Sequence, residues 1–139
     1  MADQIHLQIV TAGGVAFDRM VESVNLPLES GSMGVLANHA PLMGAVVDGV
    51  VFCRTAAGQE EAIAVGIGVV NIVDNSVTVL VRAAEPGEDI DLARAQAAEK
   101  RARERLAQKS ADVDASRAEA ALHRAVARQH AAAFVKKHR

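Results

Sequence analysis

The sequence predicts an α+β chain of two domains: an N-terminal β-sandwich followed by a C-terminal antiparallel two-helix hairpin. Three observations carry that reading. Apolar residues recur at period two up to about residue 84 and at helical spacing afterwards. The change falls at Pro86-Gly87, a pair that interrupts regular structure. The charge changes sign at the same place. Up to Gly87, three Lys and Arg stand against nine Asp and Glu, a net −6; from Glu88 onward, twelve stand against eight, a net +4. The expected domains are residues 1–87 and 88–139, within the reach of a chain of this length.

The strands come first. "IHLQIVT", residues 5 to 11, alternates Ile5, Leu7 and Ile9 with His6 and Gln8. "VESVNLPL", residues 21 to 28, sets Val21, Ser23 and Asn25 on one face and Glu22, Val24 and Leu26 on the other. "SVTVLVR" closes the series with Val77, Val79 and Val81. Each pattern gives one inward and one wet face. Turn residues separate the runs at Ala12-Gly13-Gly14, Glu29-Ser30-Gly31, Val47-Asp48-Gly49, Ala57-Gly58 and Asp74-Asn75. No ten-residue helical stripe interrupts them, so an all-β sandwich is expected over about residues 3–84.

Beyond Gly87 the chain turns helical. Asp89 is placed to cap the first helix, with Glu88 and Asp91 adding negative charge where the helix dipole is positive. That helix continues to about Lys109 with Leu92, Ala95, Ala102 and Leu106 on one stripe. "SADVD" breaks it and supplies Asp112 or Asp114 as the next cap. The second helix carries Ala118, Ala121, Leu122, Ala125, Ala132 and Ala133 on its apolar side. A short break between such helices makes an antiparallel hairpin. Its stripes are mostly alanine, which forms helix well but gains little from burial at about 25 cal/mol per Å². Such a hairpin can stay helical while its docking is marginal, which suits a switch and equally a plain appendage.

Composition removes several functions. Half of the residues are apolar but only Phe17, Phe52 and Phe134 are aromatic, so the stacking platforms of single-strand nucleic-acid binding are missing. The basic run "KRARER", Lys100 to Arg105, is diluted by Glu99 and Glu104 and has no recognition-helix frame, so no nucleic acid is expected. His123 and His130 are seven apart, too far for a two-histidine metal pair on one helix, and no metal is expected. The single Cys53 reads as a small buried hydrophobe. No stretch approaches the roughly 18 apolar residues of a membrane span, and the start lacks a basic region followed by an apolar one. The expectation is a soluble, intracellular protein without direct membrane insertion, able to sit on a membrane complex.

Two constellations remain. "GSMGVLANHAPLMGAV", residues 31 to 46, lies near Ser30, Ser32, His39 and Asp48, the residue types of a hydrolytic site. Ser30 and Ser32 flank Gly31 in a turn, without the strained elbow and oxyanion hole a nucleophile needs, so the stretch reads as a shaped surface and no catalytic residue is expected. The second constellation is cationic. Arg124 and Arg128 share a helical face, where like charges repel unless an anion lies nearby. A hairpin turn centred near residue 111 sets Arg94 level with Arg128, with Asp91 one turn before Arg94. Arginine forks suit phosphate oxygens; an intramolecular Asp-Arg salt-bridge cluster fits the same residues.

The whole chain resembles the epsilon subunit of the F-type ATP synthase. "GSMGVLANHAPL" is similar to that family's Gly-acid-Leu-Gly-Ile-x-x-Gly-His-Ala-Pro-Leu signature, "IDLARA" (Ile90 to Ala95) to its Ile-Asp-x-x-Arg-Ala motif, and "ALHRAVAR" (Ala121 to Arg128) to its second arginine pair. Ser32 and Met33 depart from the usual acid and Leu, Asn38 replaces a Gly in a place where Asn tolerates positive φ, and "VGIGVV" replaces a Ser-Gly-Gly run.

The resemblance implies a sandwich of about ten strands followed by two helices, in a non-catalytic subunit of a proton-translocating complex. It implies contacts from Glu29, Ser32 and His39 to the membrane rotor ring of c subunits, and another sandwich surface packed on the gamma subunit of the central stalk. Its C-terminal basic residues would meet an acidic segment of the catalytic beta subunits in the alpha-beta head. It further implies ATP bound on the folded hairpin by Asp91, Arg94, Arg124 and Arg128, with Glu85 as a further contact. No glycine-rich phosphate loop is present, so ATP would be a signal and no cofactor is required. The implied role is coupling for ATP synthesis with inhibition of hydrolysis by a mobile hairpin, on the cytoplasmic side of a bacterial plasma membrane. A free-standing β-sandwich adaptor with a basic helical arm is the alternative.

Overall fold

The computed structural model describes residues 4–108 and 114–139. Strands β1 (Ile5–Thr11), β2 (Gly14–Leu28), β3 (Gly31–Leu36), β4 (Leu42–Val46), β5 (Gly49–Thr55), β6 (Glu60–Val65), β7 (Gly68–Val73), β8 (Ser76–Val81) and β9 (Ala84–Pro86) come first. A single 3-10 turn, Gly87–Asp89, leads to helices α1 (Leu92–Ala107) and α2 (Ala115–Lys137). The architecture is the sandwich and helical pair that the periodicity predicts, with nine strands among the described residues where the resemblance implies about ten.

The strands hydrogen-bond in the order β1-β8-β7-β4-β2-β5-β6-β9, with β3 also on β2. β1 lies parallel to β8 and antiparallel to β2, so the ladder returns on itself. The 15-residue β2 serves both layers: its first half pairs with β1 and its second half with β3 and β5. The ring of β1, β8, β7, β4 and β2 closes without edges, while β3 and β9 each pair on one side only among the described residues. Leu7, Ile9, Val21, Leu26, Val51, Ile63, Val70, Val77 and Val79 fill the space between the layers.

The expected alternation holds in β1 and β8 but fails in β2. Val21 and Val24 are both buried, although three residues apart in a strand. The pairing with β5 shifts between Val21 and Ser23, and a bulge there turns the following residues over, bringing Val24, Leu26 and Leu28 inward. The turns are where glycine and asparagine place them. Asn38 has φ 67°, and Asp74 and Asn75 have φ 49° and 59° in the hairpin between β7 and β8.

α1 starts two residues later than a cap at Asp89 requires. Ile90 is buried in the junction and holds the chain extended, so the cap is Asp91, whose Oδ1 accepts from the Arg94 N–H at 3.1 Å. Asp114 caps α2 in the same way through the Arg117 N–H. Asp112, Lys109 and the expected turn centre near residue 111 lie outside the described residues. α2 buries Ala118 and Ala125, as expected, but also Ala127, Ala131 and Val135, while Ala133 is exposed. The reason is that α2 has two partners. One face meets α1, and the other packs on β5 and β6 in a second cluster of Val50, Ala62, Ala64, Ile90, Ala95, Ala127, Ala131 and Val135.

Candidate functional site

Glu85 on β9 and Arg128 on α2 form an ion pair between sandwich and hairpin, with Arg128 Nε donating to Glu85 Oε1 at 2.9 Å. Around it opens a cleft of about 280 Å³, walled by Ala64, Val65, Gly66, Ala83, Ala84 and Ala127, with Arg124 at its rim. Gly66, Ala83 and Arg124 are shared with a second groove of about 630 Å³, which adds Asp48, Ile67, Arg82, Ser116, Arg117 and Ala120. The two together form one trough along the junction. Its walls are mostly apolar around the Glu85–Arg128 pair and cationic at the other end.

Three of the five residues expected to hold a nucleotide, Glu85, Arg124 and Arg128, therefore meet at one place. Asp91 and Arg94 line neither part of the trough; Asp91 is engaged as the α1 cap, and Arg94 is exposed. The spacing argument for Arg94 rests on ideal parallel axes, whereas Arg128 turns to Glu85 on the sandwich. Arg82 and Arg117 are residues the sequence reading missed. Arg117 was findable, being seven residues before Arg124 and so on the same helical face. Arg82 leaves no local signal, since it reaches the trough from the end of β8.

Hairpin and sandwich are also joined at the end of α2. Phe134 meets Phe52 edge to face at 4.8 Å between ring centroids and stacks on His138 at 4.0 Å. Arg139 Nη2 donates to the Glu61 carboxylate at 2.7 Å and Nη1 to the Glu60 carbonyl at 2.9 Å. β9 pairs only with Ile63 to Val65, so Arg139 occupies the edge of β6 that β9 leaves open. Burial, with the nearby Glu61 and Glu60 carboxylates, pushes the Cys53 thiol up to about 12, which fits an inert core residue. Within the hairpin, hydrogen bonds from Arg103 at 2.6 Å and from Gln129 at 2.6 Å hold the Glu99 carboxyl below its ordinary range.

The stretch around residues 29 to 46 contains no assembled hydrolytic group. Ser32 Oγ donates to Asn25 Oδ1 at 2.6 Å, His39 Nδ1 lies 2.7 Å from the Ala40 carbonyl, and Glu29 is exposed in the β2–β3 turn. On the layer away from the hairpin, Ala45, Val69, Leu80, Val10 and Val15 are neighbours across β4, β7, β8, β1 and β2. Val15, Val69 and Leu80 are 56%, 47% and 49% exposed, so this row is an apolar surface without cover.

The β-sandwich domain of the ATP synthase delta/epsilon chain matches residues 4–87, and its long α-helix domain matches residues 88–133. The chain belongs to the ATP synthase epsilon family. The epsilon chain of Desulfitobacterium hafniense (strain Y51) is 46% identical over 109 residues, covering 78% of this chain and 82% of that one. The epsilon chain of Syntrophomonas wolfei is 36% identical over 126 residues, 91% and 92% of the two chains. A chain in the cryo-EM structure of the Euglena gracilis mitochondrial ATP synthase OSCP/F1/c-ring shares the fold, with a TM-score of 0.80 at 22% identity over 94% of this chain and 81% of that chain. As an epsilon-family chain, the protein is a subunit of an enzyme complex. No helix among its described residues is long and apolar enough to cross a membrane.

Proposed function

We propose that this epsilon-family chain is a non-catalytic coupling and regulatory subunit of a proton-translocating F-type ATP synthase. It joins gamma in the central stalk to the ring of c subunits, and works peripherally on the cytoplasmic side of a bacterial plasma membrane. The observation that carries the reading is the uncovered apolar row through Val69 and Leu80, on the layer opposite the hairpin. A five-strand apolar row suits a lasting protein partner, and the stalk is the partner that family membership supplies. Glu29, in the β2–β3 turn with its N–H on the Ala45 carbonyl at the β4 end of the row, Ser32 in β3 and His39 in the β3–β4 connection are assigned to the ring. The test is the double substitution Val69→Lys with Leu80→Asp, opposite charges because the two residues pair directly across β7 and β8. The sandwich should keep its melting behaviour, since both side chains face solvent, while recovery with gamma is lost. Undiminished recovery with gamma would assign the row to something else and favour the free-standing adaptor.

The hairpin is proposed to inhibit ATP hydrolysis when it leaves the sandwich, its +4 charge then meeting an acidic segment of the alpha-beta head. ATP is proposed as the ligand that favours the docked state. The trough exists only when α2 lies against β6 and β9, and Glu85, Arg124 and Arg128 then line it together. Calorimetry on Arg124→Ala with Arg128→Ala should show ATP binding abolished with the fold intact. Unchanged binding would leave the Arg128–Glu85 pair as a structural clasp only.

A further inference from the structure

Three of the arginines on the trough answer to no acid. Arg82, Arg117 and Arg124 line the same 630 Å³ groove, and none of them forms an ion pair among the described residues. The single carboxylate on the groove is Asp48. The arginines come from different places, Arg82 from the end of β8 and Arg117 and Arg124 from α2, so only the docked hairpin gathers them. Three guanidiniums held together repel one another, and among the described residues Asp48 is the one acid on the groove to offset that repulsion. A surface salt-bridge network would explain such a cluster, but the paired arginine of the trough, Arg128, answers Glu85 in the cleft, and the other pairs made by the helices, Arg103 with Glu99 and Arg139 with Glu61, lie outside the groove. The first turn of the 23-residue α2 also borders the groove, at Ser116 and Arg117, and adds the positive end of its dipole.

We infer that Arg82, Arg117 and Arg124 form a polyphosphate subsite, which receives the β- and γ-phosphates of a nucleotide whose base and ribose occupy the neighbouring 280 Å³ cleft. The inference rests on the ATP reading given above and deepens it. The groove, at about 630 Å³, falls in the range of small-molecule pockets, about 300 to 1,000 Å³, and the cleft, at about 280 Å³, lies just below it. Chemistry divides along the trough in the same sense. Alanine and valine side chains wall the cleft beside the Glu85–Arg128 pair, and the Glu85 carboxylate oxygen not engaged by Arg128 is placed to accept a hydrogen bond from a ribose hydroxyl or an exocyclic amine. The groove supplies planar forks suited to phosphate oxygens. Arg124 belongs to both and stands where the α-phosphate would lie. Discrimination between ATP, ADP and AMP then depends on Arg82 and Arg117, outside the motif that carries the family resemblance. Asp48 opposes binding by charge.

The test is calorimetry on the full chain with ATP, ADP, AMP and inorganic triphosphate. Arg82→Gln and Arg117→Gln should each weaken ATP and triphosphate by about tenfold, and AMP by less than about twofold. Asp48→Asn should act in the opposite sense and tighten triphosphate, by about threefold at low ionic strength. Removing a repulsion cannot be confused with a damaged fold. Equal losses for ATP and AMP in the arginine variants would place the phosphates elsewhere in a genuine nucleotide site and overturn the subsite alone. ATP binding that ignores Arg82 and Arg117 while responding to Arg124 and Arg128 would do the same. Absence of all nucleotide and triphosphate binding by the unaltered chain would overturn the subsite together with the ATP reading.

Discussion

Gly87 packs its backbone directly against α2. A Cβ on this residue would stand 2.5 Å from the Ala131 carbonyl oxygen and 2.7 Å from Val135 Cγ2. One of those atoms is helix backbone, so relief requires α2 to move away from the sandwich. Gly87→Ala should therefore weaken docking by about 1 to 3 kcal/mol, the usual cost of overpacking. Hydrogen exchange in α2 would rise while exchange in β1 and β8 stays unchanged; unchanged α2 protection would show that the helix yields at no cost. The sequence displays Gly87 as a boundary but not as a contact, because the partner atoms are more than forty residues away. Asn38 was legible for the opposite reason, since its positive φ is a property of the residue itself. The facing of Val21 was not, since a bulge is set by the partner strand as much as by its own residues.

At the scale of elements, helix extents and caps follow from local chemistry, and buried faces do not. A helix that serves two partners buries more than one stripe, which is why Ala127 and Ala131 escape a reading based on a single face. The same holds for docking strength. The alanine pattern describes α2 as weakly held, yet its end carries Phe134 on Phe52 and Arg139 across the open edge of β6. The side chain of Glu61 is only 6% exposed, so its carboxylate depends on Arg139 where a surface acid would rely on water. Arg139→Gln should raise exchange of the α2 amides after Ala131 by about tenfold, the equivalent of losing one charge-assisted hydrogen bond. Exchange near Asp114 should stay the same. A uniform rise along the whole helix would mean that the end is no separate clasp, and no rise would mean that Phe134 suffices.

For the whole molecule, the two apolar clusters are built from different residues. The cluster between the sheet layers contains no residue of α1 or α2, whereas the second joins Val50, Ala62 and Ala64 to both helices. The sandwich therefore keeps its own core when residues 88–139 are removed, and loses the cover over Val50, Phe52, Ala62 and Ala64 and the Arg139 partner of Glu61. Residues 1–87 should melt cooperatively with a β-type circular dichroism spectrum; an unfolded fragment would show that the junction is part of one core. The functional consequence follows from the opposite placement of hairpin and apolar row. Truncation leaves Val69 and Leu80 untouched, so assembly with gamma and proton pumping should persist in reconstituted enzyme. What disappears is the element proposed to inhibit hydrolysis, so hydrolysis should rise, most at low ATP, where the hairpin of the full chain is proposed to be least held to the sandwich. At high ATP the difference should narrow, because ATP, proposed to occupy the trough, would keep the full-length hairpin docked. Equal hydrolysis at low ATP with and without residues 88–139 would make the hairpin a passive appendage, even if its trough binds nucleotide.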